Sequence, residues 1–564
     1  MVTPSGTAER LGRGVAGAAV LIGAITILAR VTGFAKQLAL AYAVGANCLG
    51  TAYTAANMVP NVVFEVVVGG ALAGMVVPVL AGAAARTTAG ARAEVGRISS
   101  ALLTWVVLML VPIGALTALA AGPVMRLLVG DEVPGCAADQ VVAVATRMLV
   151  VFAPQIPLYG VAVVLYGVLQ AHRRFTGPAL APLVSSVVVI VAYLAFVPLS
   201  GGHSDPATVP GVAEYALSIG TSAGVLALVV TVIGPATRLG LRWRPTLRFP
   251  DGVAVQVRRL ALAGLSALVA QQAATVVVIP LATREIGGGG LIAYGFAWAV
   301  YQVPYAVLAV PIATSAFPAL SARAENGDVA GFAALSAQTT RAVVLISGLA
   351  AGALAAAAWP IAFVFLSGAH HDVPAAELGR AVALFAPGLV GYGLTAHLSR
   401  VLYASGEGRA AARGMVTGWL VVLAAQAVLI VAFPADWKLG GLALGQVVGM
   451  TVGGALLAGS VLRASGREAL AGVPRAALAA AVGGGCGFLA GHLAAGSVMV
   501  GFGAWNGPAA AVLAGIAGGA GALVTGALAV AAVDRGDLAA VLARFKGLRV
   551  KGDRADAPSA GEEP

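Results

Sequence analysis

Apolar stretches of membrane-spanning length recur along this chain from Val15 to Val533. That recurrence leaves few ways to fold. A helix needs about 20 mostly apolar residues to cross a bilayer. Inside hydrocarbon every backbone polar group has to be bonded within the segment or around a closed barrel. Barrel strands alternate in polarity over about 10 residues, and the stretches here are longer and continuous. Of 564 residues, 59% are hydrophobic and only 10% charged, against roughly 25% charged in soluble domains. The chain therefore reads as an all-α polytopic membrane protein.

Fourteen spans are expected, at about 16–44, 58–83, 98–122, 140–168, 176–199, 211–234, 257–282, 290–319, 339–366, 378–403, 411–434, 440–462, 474–498 and 508–533. Positive charge tests that count, because cytoplasmic loops collect Lys and Arg. With the N-terminus inside, 27 of the 34 basic residues fall on the cytoplasmic side and 5 (Arg126, Arg147, Arg284, Arg380, Lys438) on the outer side. The net charge of +11 then follows from topology and needs no nucleic acid. The basic loops suit anionic lipid headgroups. The expected layout is a cytoplasmic N-terminus at 1–14, a first lobe at 15–237, a basic connection at 238–256, a second lobe at 257–463, two further spans at 464–533 and a cytoplasmic tail at 534–564.

An internal repeat supports the two lobes. The stretch at 153–175, APQIPLYGVAVVLYGVLQAHRRF, aligns without a gap at an offset of 233 on APGLVGYGLTAHLSRVLYASGEG at 386–408. Ala153/Ala386, Pro154/Pro387, Tyr159/Tyr392 and Gly160/Gly393 are among the coincidences. A weaker echo pairs MVPNVV (58–63) with QVPYAV (302–307). Each echo links spans six apart, so the copies share one orientation. A parallel repeat about an axis along the membrane normal is a transporter signature.

Two cations, Arg30 and Lys36, remain inside the first span. A cation at bilayer depth costs about 2.5–3.5 kcal/mol on insertion scales, so such residues face a partner or a wet cavity. Six positions amount to roughly 240° of helical turn, so a break or bend at Gly33 is needed for the two to converge. Snorkelling of Lys36 to the headgroups is the competing reading. Glu65 is the one acid placed inside a span, a candidate to neutralise a cation, bind a coupling ion or carry a proton, with an outward-facing interfacial residue as the alternative. Asn57 and Asn61 are polar neighbours on the same stretch, with helix–helix hydrogen bonding as the alternative use of Asn57. Pro60 and Pro304 are expected to kink their helices. Arg284 and Glu285 lie at the outer mouth, as a solvated pair or a gate, and the Gly287–Gly290 run after them reads as a flexible connection. The three cysteines (Cys48, Cys136, Cys486) show neither metal spacing nor a disulfide framework. The six histidines, His370 and His371 among them, form no metal motif. No metal and no cofactor is expected.

ARVTGFAKQLALAYAVGA (29–46) followed by NMVPNVVFEVVVGGALAGMVVPVLA (57–81) resembles the N-terminal signature of the MurJ/MviN family, within the multidrug/oligosaccharidyl-lipid/polysaccharide (MOP) exporter superfamily. GVLQAHRRFTGPALAPLV (167–184) and LSRVLYASGEGR (398–409) are similar to its loops after the fourth and tenth helices. The resemblance implies a lipid II flippase, a transporter and not an enzyme, whose last two helices line a groove for the lipid tail. Its substrate would be the undecaprenyl-diphosphate-linked cell-wall precursor. Cell-wall synthesis or division proteins are further partners it suggests. The family's first-helix cations fall on Arg30 and Lys36, where a diphosphate would be held. The pattern departs at Gln37, Thr51, Phe64-Glu65 and Ala299, where acidic or basic residues are usual. Those departures keep two alternatives open: an exporter of another polyprenyl-linked glycan or amphipathic compound, and a non-transporting membrane scaffold for cell-wall synthesis. The expected location is the bacterial plasma membrane.

Overall fold

The computed structural model describes residues 5–66, 76, 79–80, 86, 88–249, 265–368, 370–501 and 507–540. Among them the chain is helical, with one isolated bridge between Val133 and Cys136. The helices of the first half are α1 (Ser5–Ala43), α2 (Cys48–Phe64), α3 (Ala89–Leu119), α4 (Ala121–Val129), α5 (Ala138–Phe152), α6 (Gln155–Ala171), α7 (Thr176–Ser200) and α8 (Gly211–Thr237). Those that follow are α9 (Leu265–Glu285), α10 (Gly290–Pro304), α11 (Val310–Glu325), α12 (Val329–Ala356), α13 (Ala358–Phe365), α14 (Ala375–Phe385), α15 (Gly388–Ala404), α16 (Gly408–Ala432) and α17 (Lys438–Ser465). The last two are α18 (Val473–Gly501) and α19 (Pro508–Val533).

Twelve helical stretches among the described residues are long and apolar enough to span a membrane, and the bent pair α14 and α15 makes a thirteenth. The second expected span starts as α2, and most of its continuation at 67–83 lies outside the described residues, as do the end of the basic connection at 238–256 and the tail from 541. Residues 5–14, expected as a separate N-terminal segment, begin α1. Side-chain caps mark several starts. Asn47 accepts from the Gly50 amide at 2.9 Å and Thr88 from the Ala91 amide at 3.2 Å, each satisfying a donor that the first helical turn leaves unpaired.

The repeat is visible in helix boundaries. α5 ends at Phe152 and α6 spans Gln155–Ala171; at the same offset of 233, α14 ends at Phe385 and α15 spans Gly388–Ala404. The shared Ala-Pro lies in both gaps. Proline has no amide proton and its ring clashes with the carbonyl four residues back, so both copies break there, the second with a 42° bend. The weaker echo is matched less closely, since its offset of 244 maps Tyr305–Ala309 onto 61–65, of which 61–64 are α-helical. Pro60 and Pro304 are each followed by a π-helical turn, at 65–66 and at Tyr305–Ala309. Such turns insert one residue into the i→i−4 ladder and occur often at functional positions.

By packing, the chain divides into two compact units, one of Met1–Ala299, Phe365–Pro374 and Ile430–Leu439, the other of Val300–Val364, Ala375–Leu429 and Gly440–Pro564. The lobes are defined by the repeat and the units by contact. The first unit therefore includes two short connections from the second half of the chain. Its core joins α3 and α6 through Val106, Leu110, Val164 and Val168. Glu214, in the first turn of α8, is buried and paired with Arg147 of α5 at 2.6 Å. Glu65 is thus not the one acid inside a span, because the expected sixth span already held Glu214. The second unit packs α12, α18 and α19 through small residues. Gly348 lies against Ala480, Gly352 against Gly484, and Gly483, Gly487 and Gly491 against Gly526, Ala522 and Gly518. Small residues let membrane helices approach closely enough for dispersion to hold them.

Candidate functional site

α1 runs unbroken through Gly33, so Arg30 and Lys36 stay on different faces. The expected break is absent from this conformation, because a helix with i→i−4 bonds on both sides of a lone glycine keeps its course. Arg30 is exposed and lines a depression of about 440 Å³ with Gln170 and Phe175, where α6 passes into α7. It therefore lies level with that end of the bundle. Lys36 is half-buried, further toward the C-terminal end of α1, and no carboxylate among the described residues lies within 4.0 Å of it.

Glu65 is exposed at the C-cap of α2 and forms no ion pair with either cation. Asn57 is half-buried. Asn61 accepts a hydrogen bond from the Tyr159 hydroxyl at 3.1 Å. Phe64, at a position where the family resemblance leads to an expectation of arginine, packs its ring on Tyr159 with centroids 4.3 Å apart. The two echoes meet here. Asn61 corresponds to Tyr305 and Tyr159 to Tyr392, and in the second unit Tyr305 and Tyr392 stack at 3.9 Å. Tyr392 also meets Trp419 edge-on at 6.5 Å. The same pair of positions is in contact in both halves, polar in the first and aromatic in the second. Tyr159 and Tyr392 were identities of the repeat, which was the signal that could have singled them out.

On the Arg-poor side, within the first unit, a set of hydrogen bonds that the sequence did not reveal joins the turn at 45–51, the 365–374 connection and the turn at 287–289. The Asp372 amide donates to the Ala46 carbonyl at 2.7 Å, the Ala46 amide to His371 Nδ1 at 2.9 Å, and Asn47 Nδ2 to the His370 carbonyl at 3.0 Å. The Gly288 amide donates to the Pro134 carbonyl at 2.9 Å and the Gly289 amide to Thr51 Oγ1 at 2.9 Å. Cys48 and Cys136 form a disulfide beneath them. This corrects the expectation that the cysteines pair with nothing: 88 residues separate them, and only folding brings α2's first residue to the turn before α5. The glycine run is likewise no loose tether. Gly287 and Gly289 have φ of +93° and +78°, and a Cβ on Gly288 would lie 2.7 Å from Cys136 Sγ and 3.0 Å from Asp372 Oδ2. Arg284 and Glu285 do not pair with each other. Arg284 donates to the Leu127 carbonyl at 3.2 Å, and Glu285 binds Lys438 Nζ at 2.7 Å. Burial, reinforced by the neighbouring His370, holds His371 down at about 4, below its ordinary 6.5.

A family model described as "Lipid II flippase MurJ" matches residues 40–507. The chain belongs to the MurJ family. The match starts at Leu40, so Arg30 and Lys36 precede it, and α19 follows it. The lipid II flippase MurJ of Burkholderia cenocepacia is 28% identical over 394 residues, covering 69% of this chain and 73% of that protein. A probable lipid II flippase MurJ of Rhizobium tropici is 26% identical over 396 residues, covering 68% and 70%. Among solved structures, a lipid II flippase MurJ in an inward closed conformation superposes with a TM-score of 0.68 at 16% identity, over 90% of this chain and 98% of that one. An inward-facing multidrug resistance MATE family transporter of the MOP superfamily gives 0.63 at 16% identity, over 79% and 98%. At these identities the likeness establishes the fold alone.

Proposed function

We propose that this MurJ family member flips a lipid-linked peptidoglycan precursor across the plasma membrane by alternating access, with its N- and C-termini in the cytoplasm. The observation that carries the reading is Lys36, a half-buried cation in an apolar span with no carboxylate within 4.0 Å among the described residues. A charge inside a span without a counter-ion suits a site where a ligand supplies one. A diphosphate is a doubly suitable ligand: Lys binds it as a point charge and Arg as a fork. Arg30, near the Arg-rich end, would meet the diphosphate first and Lys36 would hold it deeper. Because the two keep different faces of α1, the transfer between them would accompany a change in the helix or its neighbours. Gly33, with open space around its Cα, is the position that could bend. Pro304, next to its π turn, and Pro60, a helical turn before one, are the further hinge candidates, with Asn57, Asn61 and Glu65 along Pro60's helix and its cap as candidates for the cavity or for coupling.

The hydrogen-bonded cluster on the Arg-poor side of the first unit supports a cycle that loads from the cytoplasm. In that orientation the hydrogen-bonded cluster around Ala46 and Asp372 is the outer gate, and Arg284 and Glu285 fasten its flank. The exposed apolar faces of α18 and α19, with Leu489, Leu493, Ile516 and Leu528 all more than 60% exposed, suit the tail remaining in lipid. Membrane lipids, and cell-wall synthesis or division proteins that use the product, are the implied partners. A second reading, export of another polyprenyl-linked glycan or an amphipathic compound, draws on Phe64 and Ala299, which reduce the positive charge available. The test is rescue of flippase-depleted cells. The wild-type chain should restore growth and precursor translocation, and Arg30→Ala and Lys36→Ala chains, expressed to the same level in the membrane, should lower translocation by about tenfold or more. Full translocation by both variants would refute the diphosphate assignment, and failure of the wild type to rescue would favour the second reading.

A further inference from the structure

One bond in the Arg-poor cluster depends on a protonation state. The Ala46 amide can donate to His371 Nδ1 only when that nitrogen carries a lone pair. The ring is therefore neutral, with its proton on Nε2. His371 Nε2 is buried and without a hydrogen-bond partner among the described residues. A second proton on the ring would set an N–H against the Ala46 N–H and leave a charged ring with no acceptor at either nitrogen. The groups that face it do not relieve that conflict. On its own connection, His370 adds positive charge when protonated, and the Asp372 carboxylate is directed elsewhere, one oxygen 3.2 Å from His370 Nε2 and the other 3.8 Å from Cys48 Sγ. On the opposing turn, Cys48 is held in the disulfide with Cys136 and does not titrate. The ring shares its edge with two bonds that stand or fall with it, Asp372 amide to Ala46 carbonyl and Asn47 Nδ2 to His370 carbonyl. The connection carrying His371 leads from α13 to α14.

We propose that His371 is the proton-responsive latch of the outer gate: the neutral ring holds the α13–α14 connection on the turn at 45–48, and protonation from the outer side releases it. The proposal rests on the reading that this side is the outer gate of an alternating-access flippase. The sign follows from linkage. The closed gate holds the histidine at about 4, and an open, hydrated histidine has an ordinary value near 6.5. Between those values the open form binds more protons, so acid favours opening. Closure is unaffected above about 6.5 and is lost progressively as the pH falls from there toward about 4. From pH 7.5 to pH 5 the open-to-closed ratio should rise roughly 30-fold. A proton taken up outside would thus speed release of the headgroup without any change at Lys36.

Spin-label distances across the gate test this directly. Labels are placed at Ala137→Cys and Ser367→Cys in a Cys486→Ser background, in the full chain in lipid nanodiscs. At pH 7.5 a single short distance is expected, and at pH 5 a longer population grows in by the stated factor. His371→Asn offers an uncharged acceptor for the Ala46 amide and should stay short at both pH values. His371→Ala removes the acceptor and should show the longer population at both. An unchanged wild-type distribution between pH 7.5 and pH 5, or an acid response in His371→Asn equal to that of wild type, overturns the latch. The rescue assay separates this from the flippase reading. Rescue without an acid shift refutes the latch alone, and an acid shift without rescue leaves a proton-responsive contact at His371 but removes its role as the outer gate of a flippase.

Discussion

Lys36 shows how a single residue can act against the fold that contains it. Its span is otherwise apolar, it is half-buried, and no carboxylate lies within 4.0 Å among the described residues. Insertion scales put the cost of such a lysine at about 2.5–3.5 kcal/mol at mid-membrane and less toward the interfaces. A residue that lowers stability and persists is one that function requires. Lys36→Met, close in shape and uncharged, should therefore raise thermal stability in detergent, by about 1–2 kcal/mol, and still abolish precursor translocation. A loss of both stability and translocation would mean that Lys36 is structural, held by a contact the ionic argument ignores. Phe64 illustrates the reverse case. At a position where arginine is common in the resemblance, it packs tilted against Tyr159 with centroids 4.3 Å apart and is part of the packing between α2 and α6. Asn61 joins it there through its 3.1 Å bond to the same tyrosine.

At the scale of elements, α12, α18 and α19 are joined by a seam of glycine and alanine, with larger apolar residues turned outward. Gly491 lies at its middle: a Cβ there would come within 2.8 Å of both Ala356 and Ala522 Cβ. Gly485, less than two turns away on the same helix, has nothing within 4 Å of such an atom. Gly491→Leu should overpack the seam and cost about 1–3 kcal/mol, read as a lower unfolding temperature in detergent. Gly485→Leu should cost nothing beyond noise, and equal losses at both sites would show that the cost is loss of glycine in the helix and not overpacking. Much at this scale was legible in the sequence. The spans came from apolar length, and the matching ends of α6 and α15 came from two Ala-Pro pairs 233 residues apart, because proline acts locally and leaves the same mark wherever it stands. The hydrogen-bonded cluster on the Arg-poor side was not legible. Ala46 meets Asp372, and Thr51 meets Gly289 238 positions away, mostly through backbone groups that every residue carries. Cys48 and Cys136 are joined across 88 residues for the same reason: their neighbourhood is made by tertiary folding alone. Gly33 marks a further limit, since a glycine permits a bend without requiring one.

For the whole molecule, the charge distribution makes an orientation argument that can be tested independently of transport. Twenty-seven basic residues against five is far from an even split, and Lys and Arg near span ends are retained on the cytoplasmic side. The turn between α7 and α8, with exposed Asp205, should then face outward, and the turn between α15 and α16, with exposed Glu407, should face the cytoplasm. In a Cys486→Ser background, a membrane-impermeant thiol reagent applied to intact cells should modify Asp205→Cys and leave Glu407→Cys untouched until the membrane is permeabilised. The two positions lie an odd number of crossings apart, five spans by the sequence count. A shared pattern of labelling would therefore mean that one span has been miscounted, while an inverted pattern would turn the molecule over and place the latched side in the cytoplasm. The inverted result would carry a mechanistic consequence. His371 would then sense cytoplasmic pH, and an acid-favoured opening would admit substrate instead of releasing it. With the Arg-poor side outward, the same chemistry gives a gate that opens where protons are more abundant. The direction of labelling at Asp205 thus decides which half of the transport cycle the histidine serves.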